Sequence, residues 1–399
     1  MTYDDNTIRR VPVDVPLLIA VALLTSLGLT FVFSASAVLA NDKFGDNLYF
    51  LKRMILNVAL GVGLMMVSMR FSYFHLRKVV YPFMIFCVIL LLVTLYSGLG
   101  VKVGSTTRWI SFYFFNFQPS ELAKIAIIFF MAYFLEKKED RIDKFSIGII
   151  PPVMMTGVLI LLVLLGKDFG TAFVMGLLVG SLLFLGGARL WHLFLFFLAA
   201  LPMIVHLILN EGYRMKRLIS FLNPWGDRLG GGFQILQSLL AFDEGGWTGK
   251  GLGAGQQKLF YLPEAHTDFI FSVVGEELGL FGVTVTIGLF IALMVRGIRI
   301  ARHAPDLFGR YVAFGIVLLV ILPCLINMGV ATGLLPTKGL VLPFLSYGGS
   351  NMVTTFVAIG ILLNISTYQQ ADTPPLLSRH GKREEKRPKE TNTRVRRKR

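Results

Sequence analysis

YLPEAHTDFIFSVVGEELGLFGVTVTIGLFIALMV, residues 261–295, sets Glu264, His266 and Asp268 at alternate positions and then runs apolar from 269 to 295, where Glu276 and Glu277 are the only charges. A helix that crosses a bilayer needs about 17–25 predominantly apolar residues, so this run reads as a membrane span with a polar motif at its threshold. The rest of the 399-residue chain has the same character. It is 54% hydrophobic and 16% charged, against roughly 25% charged in soluble domains, and its mean hydropathy is +0.66. About ten spans are expected, at 15–39, 54–69, 79–97, 119–135, 146–165, 170–186, 190–209, 269–295, 310–332 and 345–366. The fold class is therefore an all-α polytopic membrane protein. The first apolar block is long enough to span and lacks a small-residue cleavage site, so it is expected to stay as an anchor.

Basic residues set the expected orientation. Arg70, Arg77 and Lys78, then Lys137, Lys138, Arg141 and Lys144, then Arg296, Arg299, Arg302 and Arg310 occupy alternate loops, joined by Arg9, Arg10 and a terminal run ending at Arg399. By the positive-inside rule these loops and both termini are cytoplasmic. The net charge of +15 follows from this pattern and the tail. It calls for anionic membrane lipid and no nucleic acid. Cys87 and Cys324 fall within spans and read as buried apolar side chains. The chain divides into an N-terminus (1–14), a transmembrane domain (15–368) and a basic cytoplasmic tail (369–399) expected to be disordered.

Residues 210–268 form the longest loop, on the extracytoplasmic side, and carry enough aromatic and aliphatic residues to pack. Residues 234–242, QILQSLLAF, suggest a short amphipathic helix. GKGLGAG at 249–255 fails as a phosphate-binding loop: no Ser or Thr follows Gly249-Lys250, and the upstream glycine and strand are missing. On the same side stand Arg53, Lys102 and Arg108, then Gln118, Ser120, Glu121 and Lys124, then Asp168, and Lys338 before SYGGS at 346–350. A charge inside a span costs about 2.5–3.5 kcal/mol, so Glu121 and Lys124 should face protein or a wet cavity. They also suit an i,i+3 structural pair, and Arg53 and Arg108 suit interfacial anchors. Ser346 is no nucleophile elbow, because Phe344 stands where that motif needs glycine.

Three readings of Glu264, His266 and Asp268 stay open at this point. Thr267 or Asp268 could cap the helix beginning near Phe269. In an extended segment the three would project to one side, and Asp268 with Glu264 or His266 could share Mg²⁺ or Mn²⁺ with substrate phosphates. Or Asp268 is a general base. A free Asp has a pKa of about 3.9; burial beside Phe269 and Phe271 would raise it, and a neighbouring Arg or metal would lower it.

PEAHTDFIF followed by GEELG, together with NPW at 223–225, QPSELAK at 118–124, GKDFGT at 166–171 and LPTKG…LPFLSYGGS at 335–350, resembles the SEDS family. PEAHTD with PTKG is similar to its division-associated branch. The resemblance covers about 15–368 and implies a peptidoglycan glycosyltransferase that polymerises lipid II. It implies Asp268 as the essential acid, a divalent cation, a class B penicillin-binding protein transpeptidase among other division proteins as partners, and residence in the bacterial cytoplasmic membrane at the septum. Arg53, Lys102, Arg108 and Lys338 become candidate diphosphate contacts, and Glu264, His266, Thr267, Glu121, Lys124, Asp168 and Ser346 supporting residues. A lipid-linked precursor flippase and a non-catalytic division scaffold are the alternatives. The gathering of polar residues in an external loop, away from mid-bilayer, favours chemistry over transport.

Overall fold

The computed structural model describes residues 8–97, 100–103, 106–112, 115–210, 212–227, 230–258 and 262–370. The expected tail from 371 onward and the first seven residues lie outside them. Ten long helices coincide with the ten expected spans: α1 (Val15–Phe44), α2 (Tyr49–Arg70), α3 (Leu76–Tyr96), α4 (Pro119–Lys137), α5 (Ile150–Leu165), α6 (Phe169–Leu185), α7 (Leu190–Leu209), α10 (Ile270–His303), α11 (Leu307–Ala331) and α12 (Gly349–Ser366). Two further helices, α8 (Gly212–Leu222) and α9 (Gly231–Gly245), build the loop between α7 and α10. The expected helix at 234–242 lies within α9, whereas α8 had no counterpart in the sequence reading.

Among the described residues seven helices are long and apolar enough to cross a membrane on those grounds alone. Phe169–Leu185 and Leu190–Met203 are shorter apolar helices, and α4 carries Glu121, Lys124, Glu136 and Lys137 within its length. A bilayer leaves no water for unpaired backbone groups, so such runs have little choice but to close their hydrogen bonds as helices. Local signals fix several ends. Asp14 caps α1 by accepting the Leu17 N–H at 3.0 Å, and Asp168 caps α6 by accepting that of Thr171 at 3.2 Å. The span expected at 269–295 runs on to His303, with a break at Gly279, whose φ of 63° is open to glycine.

Burial orders the bundle. In α11 and α12, 67% and 78% of the span residues are inside the protein, against 17% in α2. α4, α11 and α12 form the centre, where small residues allow close approach. α7 is peripheral and presents Trp191, Phe194, Phe197 and Leu209 outward. Between α3 and α4 the chain forms a meander of β2 (Gly100–Val103), β3 (Thr106–Phe112) and β4 (Phe115–Phe117), with Ile110 opposite both Gly100 and Phe117. At the opposite end β1 (Ile8–Arg10) pairs antiparallel with β5 (Tyr368–Gln370), so the two ends of the described chain lie on one side of the bundle. Beside them Arg77 bridges Glu136 and Asp306, while the Tyr73 hydroxyl donates to Asp306 at 2.7 Å.

Candidate active site

Residues 263–269 form a tight turn and not the extended segment expected from their alternation. Glu264 has a left-handed φ of 56°, and its carbonyl accepts the N–H groups of Thr267 and Asp268, each at 3.1 Å. The turn is pinned from outside: the Tyr347 N–H donates to the His266 carbonyl at 3.0 Å. The His266 ring packs 4.8 Å from Phe50 and 6.0 Å from Tyr347. Burial there pushes its pKa below the usual imidazole value. The capping expectation also fails. α10 begins at Ile270 behind Phe269, with no side-chain cap, and the Thr267 hydroxyl donates instead to the carbonyl and carboxylate of Glu264.

This turn forms one wall of a cavity of about 420 Å³. Asp268 and Glu264 face it from the turn, Arg53 and Asn57 from α2, Arg108 from β3, Glu121 and Lys124 from α4, and Asp168 and Thr171 from the start of α6. Leu56, Val174, Pro323 and Leu340 supply apolar parts of its wall. The cavity thus joins acids and cations to apolar wall, the pattern of a site for an amphipathic ligand.

Each polar group is held. The Arg108 guanidinium lies 3.5 Å from Asp168, whose second oxygen accepts the Gln118 amide at 2.9 Å. Asp168 is at once helix cap and anchor for Arg108. Glu121 and Lys124 form a buried ion pair of 2.9 Å, and Asn351 and Thr354 also donate to Glu121. The pair is structural and lines the cavity, so the two readings of it describe one arrangement. Arg53 stacks 4.5 Å over the Tyr49 ring. The Asn327 amide donates to the carbonyls of Asp268, at 2.8 Å, and Leu340, at 2.7 Å, and so clamps the turn to the chain after α11.

The electrostatic question left by the sequence is answered at Asp268. Burial pushes its carboxyl up from 3.8 to about 7, helped by Glu264; the cations Arg217 and Arg108 pull the other way and do not prevail. Gly339 leaves the space beside this carboxyl open, since an added Cβ would sit 3.5 Å from Oδ2. Three expected residues among those described, His266, Lys338 and Ser346, are not in the cavity wall. Lys338 lays its ammonium on the Phe173 ring, 3.5 Å from the centroid. Ser346 accepts the Leu342 N–H at 2.8 Å and stabilises its own turn. The backbone of Lys102 pairs with Thr107, and its side chain lies outside the described part of the structure. Among the described residues no three His, Cys, Asp or Glu side chains gather as a metal-binding group; Glu264 and Asp268 are the two carboxylates of the turn that face the cavity.

Arg217, Tyr347 and Asn327 escaped the sequence reading. Asn327 did leave a signal, as a lone amide in the apolar run 310–332. Arg217 would have required recognising α8, whose strongly basic composition resembles an ordinary loop.

The cell cycle protein family FTSW_RODA_SPOVE matches residues 15–371. A protein of Geobacter sulfurreducens (strain DL-1 / KN400) called probable peptidoglycan glycosyltransferase FtsW is 49% identical over 354 residues, covering 89% of this chain and 95% of that one. Stage V sporulation protein E of Bacillus subtilis (strain 168) is 43% identical, covering 91% of this chain and 100% of its own length. A chain of a solved peptidoglycan synthase complex that coordinates polymerization and crosslinking superposes with a TM-score of 0.73 at 28% identity, covering 89% of this chain and 97% of that one.

Proposed function

Because the chain belongs to the FTSW_RODA_SPOVE family of cell cycle proteins, the SEDS family, we infer that it is an FtsW-type peptidoglycan glycosyltransferase, a multi-pass membrane enzyme of cell division. Its substrate is lipid II, the disaccharide pentapeptide carried on undecaprenyl diphosphate. Asp268 takes the proton of the acceptor 4-hydroxyl as that oxygen attacks the donor anomeric carbon. The bond from that carbon to the diphosphate breaks, and its electron pair leaves with undecaprenyl diphosphate. Attack opposite the leaving group converts an α-linked donor into a β-1,4 linkage.

The observation that carries this reading is the Asp268 carboxyl, poised at about 7 in the wall of a cavity that also presents Arg53, Arg108 and Lys124. A base works best when its pKa lies near the working pH. Guanidinium groups suit the oxygens of a departing diphosphate, and the apolar part of the cavity wall suits the start of a polyprenyl chain. Glu264, which faces the cavity beside Asp268, fits a divalent cation of the Mg²⁺ or Mn²⁺ kind, which can bind through a single carboxylate and share its remaining positions with phosphate, leaving Asp268 as the base. When bound it would neutralise charge on the leaving diphosphate. A class B penicillin-binding protein is the proposed partner, crosslinking the strand as it emerges, and the proposed location is the septum with both termini cytoplasmic.

The test is polymerisation of lipid II in detergent by the purified protein with Mg²⁺ or Mn²⁺, with and without a fused class B transpeptidase. Glycan strands from the wild type and none from Asp268→Asn are expected. Normal strands from the variant would refute the base assignment.

A further inference from the structure

Of the four cations expected at one diphosphate, the structure divides the three whose side chains it describes. Arg53 and Arg108 join Lys124 in the cavity, whereas Lys338 joins a second basic group built on α8. Arg214 and Arg217 stand three residues apart on that helix and therefore on one face. The Arg217 guanidinium donates to the Thr337 carbonyl at 3.3 Å. The Arg214 guanidinium lies 5.5 Å over the Phe169 ring, and the Lys338 ammonium 5.6 Å from the same ring. Arg214 and Lys338 thus meet at Phe169, and Arg217 joins them through the residue before Lys338. They are separated from the cavity group by the start of α6, where Asp168 holds Arg108 and the next residue, Phe169, carries the second group.

Asp268 feels one cation of each group, Arg108 and Arg217, and Gly339 beside its carboxyl follows Lys338 directly in the chain. Burial of Lys338 against the rings pulls its pKa down to about 8, an electrostatic cost that a neighbouring anion would relieve.

Glycan polymerisation brings together two substrates that both carry a lipid-linked diphosphate, the donor and the acceptor. Resting on the glycosyltransferase reading, we propose that Arg214, Arg217 and Lys338 form a second diphosphate subsite, which holds the acceptor while the cavity group holds the donor. The chemistry decides the assignment. The donor diphosphate gains charge as the anomeric bond breaks, so it belongs with the enclosed cations Arg108 and Lys124. The acceptor diphosphate keeps its charge through the reaction and needs only to be held. Cations that touch it bind ground state and transition state alike, and therefore act on half-saturation more than on turnover.

Two measurements on the full-length protein in detergent test the subsite. Native mass spectrometry of Asp268→Asn with lipid II should show two lipid II molecules per chain, falling to one when Arg214→Gln and Arg217→Gln are added. A single molecule on Asp268→Asn would overturn the proposal, even if the arginine variants prove unstable. In turnover at about pH 8.5, above the titration of Asp268 on which Arg217 acts, Arg217→Gln should raise half-saturating lipid II about tenfold, the scale of one charge-assisted hydrogen bond, while changing kcat by less than about twofold. Arg217→Lys should recover part of that loss, and Arg108→Gln should act mainly on kcat. A fall in kcat at unchanged half-saturation for Arg217→Gln would sink the proposal. Displacement of the second lipid II by excess phosphatidylglycerol would also overturn it, in favour of a phospholipid headgroup site. Polymerisation by Asp268→Asn would refute the base assignment and leave the count of two subsites standing.

Discussion

At the scale of single residues, Asp268 carries two opposed consequences of one environment. With the carboxyl at about 7, kcat/KM for lipid II should rise roughly tenfold per pH unit below that value and level off above it. A flat profile from pH 5.5 to 8 would remove Asp268 as the titrating base. The same shift bears on stability. Because the folded pKa is raised from 3.8, the stability present below about pH 4 is lost as pH rises to about 7, by at most ~4 kcal/mol. Asp268→Asn should therefore abolish turnover yet unfold at higher temperature than wild type, with the gap opening between pH 4 and 7 and constant beyond. Equal melting temperatures at pH 8 would contradict this. Asp268 was legible in the sequence, because a carboxylate at the edge of a long apolar run is chemically conspicuous. The arrangement of Glu264 and His266 was not, since it depends on Tyr347 and Phe50 from distant parts of the chain.

At the scale of elements, the glycine-rich stretch after α9 is held by two buried carboxylates at the start of α10. Glu276 accepts the N–H groups of Gln256 and Gln257, and Glu277 accepts that of Gly253 and pairs with Lys258 at 2.7 Å. Both carboxylates belong to the motif GEELG and are the only charges of the run 269–295. Glu276→Ala would leave these backbone donors uncompensated, at about 1–3 kcal/mol for each buried group. Proteolytic cleavage within 246–258 should become faster by at least tenfold, and an unchanged cleavage rate would show that the loop stands without it. The hydropathy pattern gave away the long helices, because each answers to the bilayer alone. It could not give α8 or the β2–β4 meander, which are short and take their shape from the helices beneath them.

At the scale of the whole molecule, the bundle is closed at the end opposite the cavity by Arg77, Glu136, Asp306 and Tyr73, which tie α3, α4 and α11 together. The Asp306 side chain is fully buried. Asp306→Ala would leave the Arg77 charge short of a partner, a change that costs about 3–5 kcal/mol when a buried pair is broken. The variant should lose several degrees of melting temperature while keeping its half-saturation for lipid II, because the clasp lies outside the cavity. A proportionate loss of substrate affinity would show the two ends to be coupled. The ribbon of Ile8–Arg10 with Tyr368–Gln370 has its own implication for biogenesis. At synthesis rates of ~5–20 residues per second, the first strand waits roughly 20–70 s after leaving the ribosome for its partner to be made. The ribbon can form only once the last helix has entered the membrane. It is the seam that closes when assembly is complete, and a nascent chain stalled before Thr367 would present the strand Ile8–Arg10 with an open edge.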